Sequence, residues 1–440
     1  MPAQSMSQNR VTRWLSLPAA QWLAVALLVV GLAATAARVV KQYQTPGPFD
    51  PTRQGYCDFH NGVYFPAAAW LQGISPYGQE YASRFPVARS VPFFSPSIYV
   101  LHVPFALLPL HVAEVGYFLF SIGVVLAIAQ LVAKDVASSE KLQRSVFLWT
   151  AVGIVFSRGG HITLFDGYFT LLLIGGSFLA ISQAEKRPWL AAVGLLLASS
   201  KPTFILPLGI LLVARGNYRA IWRGAFLSVF FAAVGFAWIA YHQSEESMYV
   251  GMQEIVAQIS QTQEIHQAEL DEMPVHSWTR LDLLAIIAKW TGHNPGALVH
   301  LWGMFAVLVI PCWVLLRRSA VGEDDGLTGV TGALVLVATL VSLYHQSYDA
   351  LLVVAPLAGV VVGQSEFWTR LPAMYRWGIG LGLLIPLFNY LSTRMFIDRV
   401  NVSDRFIQVV TSLNGVCLTL VLLMLCWSAI RYSYDSPADA

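Results

Sequence analysis

Four polar clusters in an otherwise apolar chain carry residue types that can do chemistry. Asp58, in Tyr56-Cys57-Asp58-Phe59-His60, precedes the apolar stretch Val63-Tyr64-Phe65-Pro66-Ala67-Ala68-Ala69-Trp70-Leu71. A carboxylate there can take a proton from a hydroxyl nucleophile. The plainer alternative is a solvated cap on a short helix lying on the membrane surface. Lys201-Pro202 interrupts the apolar run 188–214. A lysine at the bilayer centre costs about 2.5–3.5 kcal/mol on insertion scales, so intramembrane lysines tend to be functional. Beside a proline-broken backbone such a cation would suit a phosphate; the alternative is a lysine that snorkels to the interface. His345 and Asp349 stand four residues apart in Tyr344-His345-Gln346-Ser347-Tyr348-Asp349, ahead of the apolar run 350–364. They share a helix face if the helix starts early; otherwise they are polar edge residues in the headgroup zone, among belt tyrosines. His161 and Asp166 follow Gly159-Gly160 in what reads as a tight turn between two apolar runs. They are either a polar site or turn and cap residues.

The elements that position these groups must be membrane helices. The chain has 440 residues, of which 56% are hydrophobic and 12% charged. Soluble domains carry about 25% charge, so a soluble globular enzyme and a disordered chain are both excluded. A net charge of +2 without a basic block excludes a nucleic-acid partner. Cys57, Cys312, Cys417 and Cys426 form no close pair and no zinc spacing. No Walker loop, dinucleotide fingerprint or His-Glu-x-x-His is present, so no cofactor and no metal site is expected. Glu323-Asp324-Asp325 reads as a solvated cytoplasmic loop, and Asn401-Val402-Ser403 as a chance match to a glycan acceptor pattern.

Clear apolar runs lie at 21–40, 112–133, 142–158, 164–183, 221–241, 298–316, 326–343, 350–364, 377–393 and 406–430. Positive loops at Arg10/Arg13, Lys134/Lys141/Arg144, Lys186/Arg187, Arg215/Arg219/Arg223, Arg317/Arg318, Arg370/Arg376 and Arg431 all become cytoplasmic under two conditions. The stretch 96–110 must not cross, and 188–214 must form two short spans with Lys201 near the outer face. The expected architecture is therefore an all-α polytopic membrane protein of about twelve transmembrane helices. Its parts are a cytoplasmic tail at 1–20, a single transmembrane domain at 21–431 and a cytoplasmic tail at 432–440. Outer loops fall at about 41–111, with a juxtamembrane helix, and at 242–297, which is acidic through Glu245, Glu246, Glu254, Glu264, Glu269, Asp271 and Glu272. Four cysteines without a disulfide pattern would suit a bacterial inner (plasma) membrane.

Several of these segments resemble a known family. They are Asp58 … Val63-Tyr64-Phe65-Pro66-Ala67-Ala68 … Gly73-Ile74-Ser75-Pro76-Tyr77, Pro92-Phe93-Phe94-Ser95-Pro96-Ser97-Ile98-Tyr99 with Leu107-Leu108-Pro109-Leu110, Gly160-His161, Ala198-Ser199-Ser200-Lys201-Pro202-Thr203, and His345 … Tyr348-Asp349. Together they resemble the polyprenyl-phosphate-sugar-dependent glycosyltransferases of the GT-C superfamily, specifically glycosyltransferase family 87. The resemblance runs from about residue 20 to 365. Family members often have Gly-Gln where this chain has Gly160-His161, and some carry His-His where it has His345-Gln346.

The resemblance implies a GT-C-like fold and an inverting transfer of a sugar, mannose first among the candidates. The donor is a polyprenyl-phosphate-linked sugar and the acceptor a lipid or glycan on the outer face. Asp58 maps to the catalytic base, and Lys201, His345, His161 and Asp349 to donor phosphate and sugar binding. Two other classes compete: a flippase or transporter of polyprenyl-linked sugars, and a membrane protein that binds such lipids without catalysis. A transporter more typically shows paired broken helices in two related halves; one broken segment is evident.

Overall fold

The computed structural model describes residues 11–47, 50–87, 94–268, 273–363, 365–400 and 403–432, and no strand occurs among them. Arg10, Pro92, Phe93, Glu269, Asp271, Glu272, Asn401 and Val402 lie outside the described residues, as do 1–10 and 433–440 of the two expected tails. Five helices are long and apolar enough to cross a membrane: α1 (Pro18–Gln42), α4 (Leu110–Val136), α10 (Tyr218–Gln243), α13 (Ala297–Ala320) and α17 (Asp404–Arg431). Shorter helices complete the bundle. They are α5 (Glu140–Phe156), α7 (Thr170–Gln183), α8 (Pro188–Ala198), α9 (Pro202–Ala214), α14 (Val330–Ser342), a 3-10 turn Ser347–Val353 that runs into α15 (Val354–Val362), and α16 (Ala373–Phe388). The chain is a polytopic helical membrane protein.

Burial separates these helices by role. The long helices keep large apolar side chains outward: Trp22, Val29 and Val30 on α1, Leu119 on α4, Trp222 and Val229 on α10, Trp302 and Val309 on α13. Apolar surface on that scale needs a lipid solvent. Every residue of α14 is buried, so it is a central helix, apolar on all sides and packed against α13, α17 and α9. A thirteen-residue helix rises only about 20 Å, short for a bilayer. Its neighbours, rather than lipid, enclose it.

Lys201-Pro202 does break the 188–214 run. Helix α8 ends at Ala198, and Pro202 opens α9 at the first helical position, where its missing N–H costs nothing. The stretch 96–110 forms a ten-residue helix, α3 (Ser97–Ala106), that packs against α10 and the first loop. The apolar stretch after Asp58 is helical as expected: Cys57–Phe59, a π turn His60–Tyr64, and α2 (Phe65–Leu71). The Trp70 indole donates to the Gly235 carbonyl at 2.9 Å, and Trp238 donates back to the Trp70 carbonyl at 2.7 Å, clamping α2 to α10.

Two sequence expectations need correction. Residues 158–166 are a helix, α6 (Arg158–Asp166), and not a tight turn. Its glycines serve close packing: a Cβ on Gly159 would sit 2.9 Å from the Tyr348 carbonyl oxygen. The run Glu323-Asp324-Asp325 is not a solvated loop. Asp324 pairs with the buried Arg215, and Glu323 lies 2.9 Å from the buried Arg318 guanidinium. Asp325 accepts the Val330 and Thr331 N–H groups at 2.7 and 2.9 Å, capping α14. These acids tie the loops together on that side of the bundle.

Candidate active site

Asp58 is positioned by its neighbours in sequence and by α6. Tyr56 adopts a left-handed backbone (φ 61°), uncommon for a residue with a Cβ. Its N–H donates to the Phe165 carbonyl at 2.9 Å. Gly167, also left-handed (φ 74°), ends α6 so closely that a Cβ there would stand 2.6 Å from the Phe59 Cβ. The first loop is thus docked on the C-terminal end of α6, and Asp58 meets Asp166. Ligand atoms of Cys57, Asp58 and Asp166 all lie within 4.8 Å of one another.

The consequences are electrostatic. Burial, and then the Asp58 carboxylate, push the Asp166 carboxyl well above its ordinary range, although Arg38 works the other way. Two carboxylates this close do not both ionise readily. Burial likewise raises the Cys57 thiol, so it stays protonated. Among the described residues this is the group of acids, thiols and imidazoles close enough to hold a cation. A hard divalent ion would use its two carboxylates.

A second network fixes the far side of the Asp58 loop. Glu114, near the start of α4, accepts from the Tyr43 hydroxyl and from His60 Nε2, both at 2.5 Å, and from His111 Nδ1 at 2.9 Å. Arg53 donates to His60 Nδ1, so His60 is a neutral imidazole; its burial lowers its basicity further. Buried polar groups satisfied this fully make a rigid mount for the residues two positions away.

Lys201, His345 and Asp349 converge. The Asp349 Oδ2 atom accepts from Lys201 Nζ at 3.0 Å, from His345 Nδ1 at 3.1 Å and from the Gln346 N–H at 2.9 Å. His345 and Asp349 do not meet along a shared helix face. The 3-10 turn starts at Ser347, and Asp349 folds back as the capping box on Gln346. His345 Nε2 faces the Thr203 carbonyl oxygen at 3.1 Å. Both ring nitrogens therefore face oxygen acceptors, the Asp349 carboxylate and the Thr203 carbonyl. Asp349 Oδ1, Ser200 Oγ and Thr203 Oγ1 are buried with no hydrogen-bond partner among the described residues. Unmet polar atoms of this kind ask for a polar ligand or water.

Tyr348 links the two clusters. Its ring lies 5.4 Å from Lys201 Nζ and 5.4 Å from the Tyr168 ring, and it feels the charges of both Asp349 and Asp58. Phe94 packs on Tyr168 and Phe169, and the Ser95 N–H donates to the Ser200 carbonyl at 3.3 Å. The segment leading into α3 thereby roofs the α8–α9 break.

His161 stands apart from the lysine cluster. It faces Arg38 of α1, whose guanidinium donates to His161 Nε2 and stacks on Phe165 at 4.1 Å. Burial and Arg38 together lower the basicity of His161, which leaves Arg38 as the cation at this corner. Arg38 and Arg158 were not singled out by sequence, Asp166 reads there beside His161 as a polar site or a turn and cap residue, and Tyr348 enters only within the His345–Asp349 motif. Arg38 carried a usable signal, a charge inside the apolar run 21–40.

The comparisons with known proteins agree with the sequence resemblance. No curated protein and no solved structure matches the chain. The model of Glycosyltransferase family 87 matches residues 93–342, a stretch holding Lys201, His161 and Asp166, with Asp58, His345 and Asp349 outside it. The match covers more than half of the chain, and the protein belongs to glycosyltransferase family 87.

Proposed function

We propose that the protein moves a sugar, mannose in the first instance, from a polyprenyl-phosphate donor to a lipid or glycan acceptor, with inversion and with Asp58 as general base. Family membership supports the transferase activity; the donor, the sugar and the residue roles are our reading. One observation carries it: the Asp58–Asp166 carboxylate pair and the Lys201–His345–Asp349 trio both lie within electrostatic reach of Tyr348. A single-displacement transfer needs those two poles, a base behind the acceptor and cations ahead of the leaving phosphate.

In this reading the acceptor hydroxyl oxygen attacks the anomeric carbon from the face opposite the phosphate. Asp58 takes the hydroxyl proton as the new C–O bond forms. The bond from the anomeric carbon to the phosphate oxygen breaks, and the polyprenyl phosphate leaves with the electron pair. The departing group is already an anion, so no general acid is required. Lys201 and His345 stabilise it, with Asp349 holding both in place. Burial and the Asp58 charge push the Asp166 carboxyl up, so the pair resists ionising twice, and in this reading Asp58 is the member that takes the proton.

The membrane arrangement belongs to the same reading. The helices α1, α4, α5, α7 to α10, α13 to α17 make about twelve crossings, with α3 as the juxtamembrane helix, both termini cytoplasmic and the site on the outer face. The donor then diffuses within the bilayer to an enzyme that needs no nucleotide-binding domain.

The test is transfer in lipid nanodiscs from radiolabelled polyprenyl-phosphate-mannose to a lipid acceptor pool, with the anomeric configuration of the product read by NMR. A product inverted relative to the donor is expected. Retained configuration would replace the single displacement by a covalent intermediate.

A further inference from the structure

Arg158 is a buried cation that the transfer scheme leaves unused. Its relative exposure is 0%, at the first position of α6. Nη1 donates to Ser392 Oγ, while Nε and Nη2 have no hydrogen-bond partner among the described residues. No carboxylate pairs with it among the described residues; its remaining neighbour is the Trp278 ring, 5.7 Å from Cζ. A buried guanidinium with unmet donors is costly, and a fold retains one when an anion arrives to meet it.

Arg158 is not alone. Lys289, on α12 (Leu283–Thr291), is also buried, and among the described residues its Nζ donates to the Thr411 carbonyl, at 3.2 Å. Lys289 is lowered to about 8, chiefly by burial, with Asp282 opposing the shift and the charges of Arg280 and Arg158 adding to it. Arg280 is 4% exposed, stacks 4.9 Å from Tyr344 and is neutralised by Asp282, which it meets at 2.9 and 3.0 Å. Asp282 is also the N-cap of α12, accepting from the Ala285 N–H at 3.0 Å. Among the described residues these three buried cations share one carboxylate, Asp282, an excess of two positive charges.

This patch adjoins the lysine cluster. Tyr344 lies between Arg280 and Lys201, which stands 5.5 Å from the same ring, and the Leu281 N–H donates to the His345 carbonyl at 2.9 Å. Its wall towards the surface is the 3-10 turn Tyr390–Ser392. The Tyr390 and Leu391 side chains of that turn are 42% and 47% exposed. Ser392, which now holds Arg158, is thus a hydroxyl that an anion's oxygen can replace.

We propose that Arg158, Lys289 and Arg280 form a second anion seat, beside the Lys201 cluster, that takes the phosphate group of a lipid substrate. That the phosphate belongs to a substrate rests on the transfer reading; the seat itself does not. The seat supplies two unmatched cations and two unused guanidinium donors, the geometry by which arginine grips phosphate oxygens.

The test is binding, read by thermal shift and native mass spectrometry in detergent, with farnesyl phosphate, farnesol, short-chain phosphatidylinositol and inorganic phosphate as probes. Arg158→Met keeps the volume and removes the charge; a buried charge replaced by an apolar side chain often leaves stability unchanged or raised. Lys289→Met decides the matter should Arg158→Met fail to fold. The expected result is binding of at least one lipid phosphate, weakened about 10- to 100-fold by either substitution and unchanged by Asp58→Asn. Farnesyl phosphate and phosphatidylinositol distinguish a donor-type monoester from an acceptor-type diester. Inorganic phosphate binding that depends on Arg158 also supports the seat and assigns it to the phosphate alone. Equal binding by wild type and folded variants, or farnesol binding as tightly as farnesyl phosphate, overturns it. Transfer by the wild type with unaltered binding in Arg158→Met sinks the seat alone. Arg158-dependent binding, with no transfer from any polyprenyl-phosphate sugar, sinks the transfer reading alone.

Discussion

The ion pair at the centre of the cationic trio gives the sharpest stability prediction. Lys201 and Asp349 stand 3.0 Å apart, with side chains 4% and 0% exposed. Removing one partner of a buried pair costs about 3–5 kcal/mol, because the survivor's charge is left uncompensated. Lys201→Met leaves Asp349 still holding His345 and the Gln346 N–H, so its loss falls at the low end, about 3 kcal/mol. Asp349→Leu strands Lys201 among the rings of Phe204, Tyr344 and Tyr348, 5.4–5.5 Å away, and also frees His345. Its loss falls at the high end, about 5 kcal/mol. The double variant Lys201→Met/Asp349→Leu strands no ion of the pair and carries the His345 and Gln346 N–H defects, so a coupling of about 2–3 kcal/mol returns. Unfolding in mixed micelles reads the cycle, and sugar transfer in nanodiscs reads function. The double variant should be about as stable as Asp349→Leu alone, the second substitution costing little once the partner is gone, and still inactive, since Lys201 is absent. Losses that add within about 0.5 kcal/mol, or a double variant that transfers sugar, would refute this reasoning.

Three further predictions follow from the carboxylate pair and its mount. Asp166 has a folded-state pKa above its ordinary 3.8, so the stability it contributes is complete below that value and is lost as pH rises through the folded one. Asp166→Asn should therefore melt higher than wild type at neutral pH, with a gain that vanishes near pH 3; an acid-side gain would reverse the assignment. Gly159→Ala drives a Cβ to 2.9 Å from the Tyr348 carbonyl and should cost about 1–3 kcal/mol with reduced transfer. An unchanged melting temperature in that variant would mean that α6 and the 3-10 turn are less tightly docked. Chelation by EDTA should leave transfer unchanged; a loss restored by Mg²⁺ or Mn²⁺ would recast Asp58 and Asp166 as metal ligands.

The fold was legible where hydrophobicity alone decides it. The runs 21–40, 112–133, 221–241, 298–316 and 406–430 became the five long helices, and the Lys201-Pro202 interruption became the α8–α9 break. Proline chemistry and polarity are local, and both point the same way there. Residues 158–166 misled because Gly159-Gly160 carries turn propensity, whereas the fold uses those glycines to bring a helix against the Tyr348 backbone. Tertiary packing overrode propensity.

The site shows the same division. Lys201 could be named because an ionisable residue in an apolar run is costly, whereas His345 and Asp349 stand at the edge of a run and could be named from their four-residue spacing and the family resemblance. Their mutual arrangement could not, since Asp349 reaches His345 through a cap, not along a helix face. The Asp58–Asp166 pair spans more than a hundred residues and depends on the Tyr56 and Gly167 backbone conformations. Neither angle is written in residue spacing. The Glu323-Asp324-Asp325 run looked solvated because its partners, Arg215 and Arg318, lie on other segments.

The central claim is that Asp58 is the base. Initial rates of sugar transfer from a polyprenyl-phosphate donor by wild type and Asp58→Asn, in the same nanodiscs and with equal donor binding, test it most directly. The substitution keeps the side chain's shape and removes its ability to take a proton, so the rate should fall by about 10²–10⁴-fold. A variant that transfers sugar at the wild-type rate contradicts the assignment and would move the search for the base to Asp166.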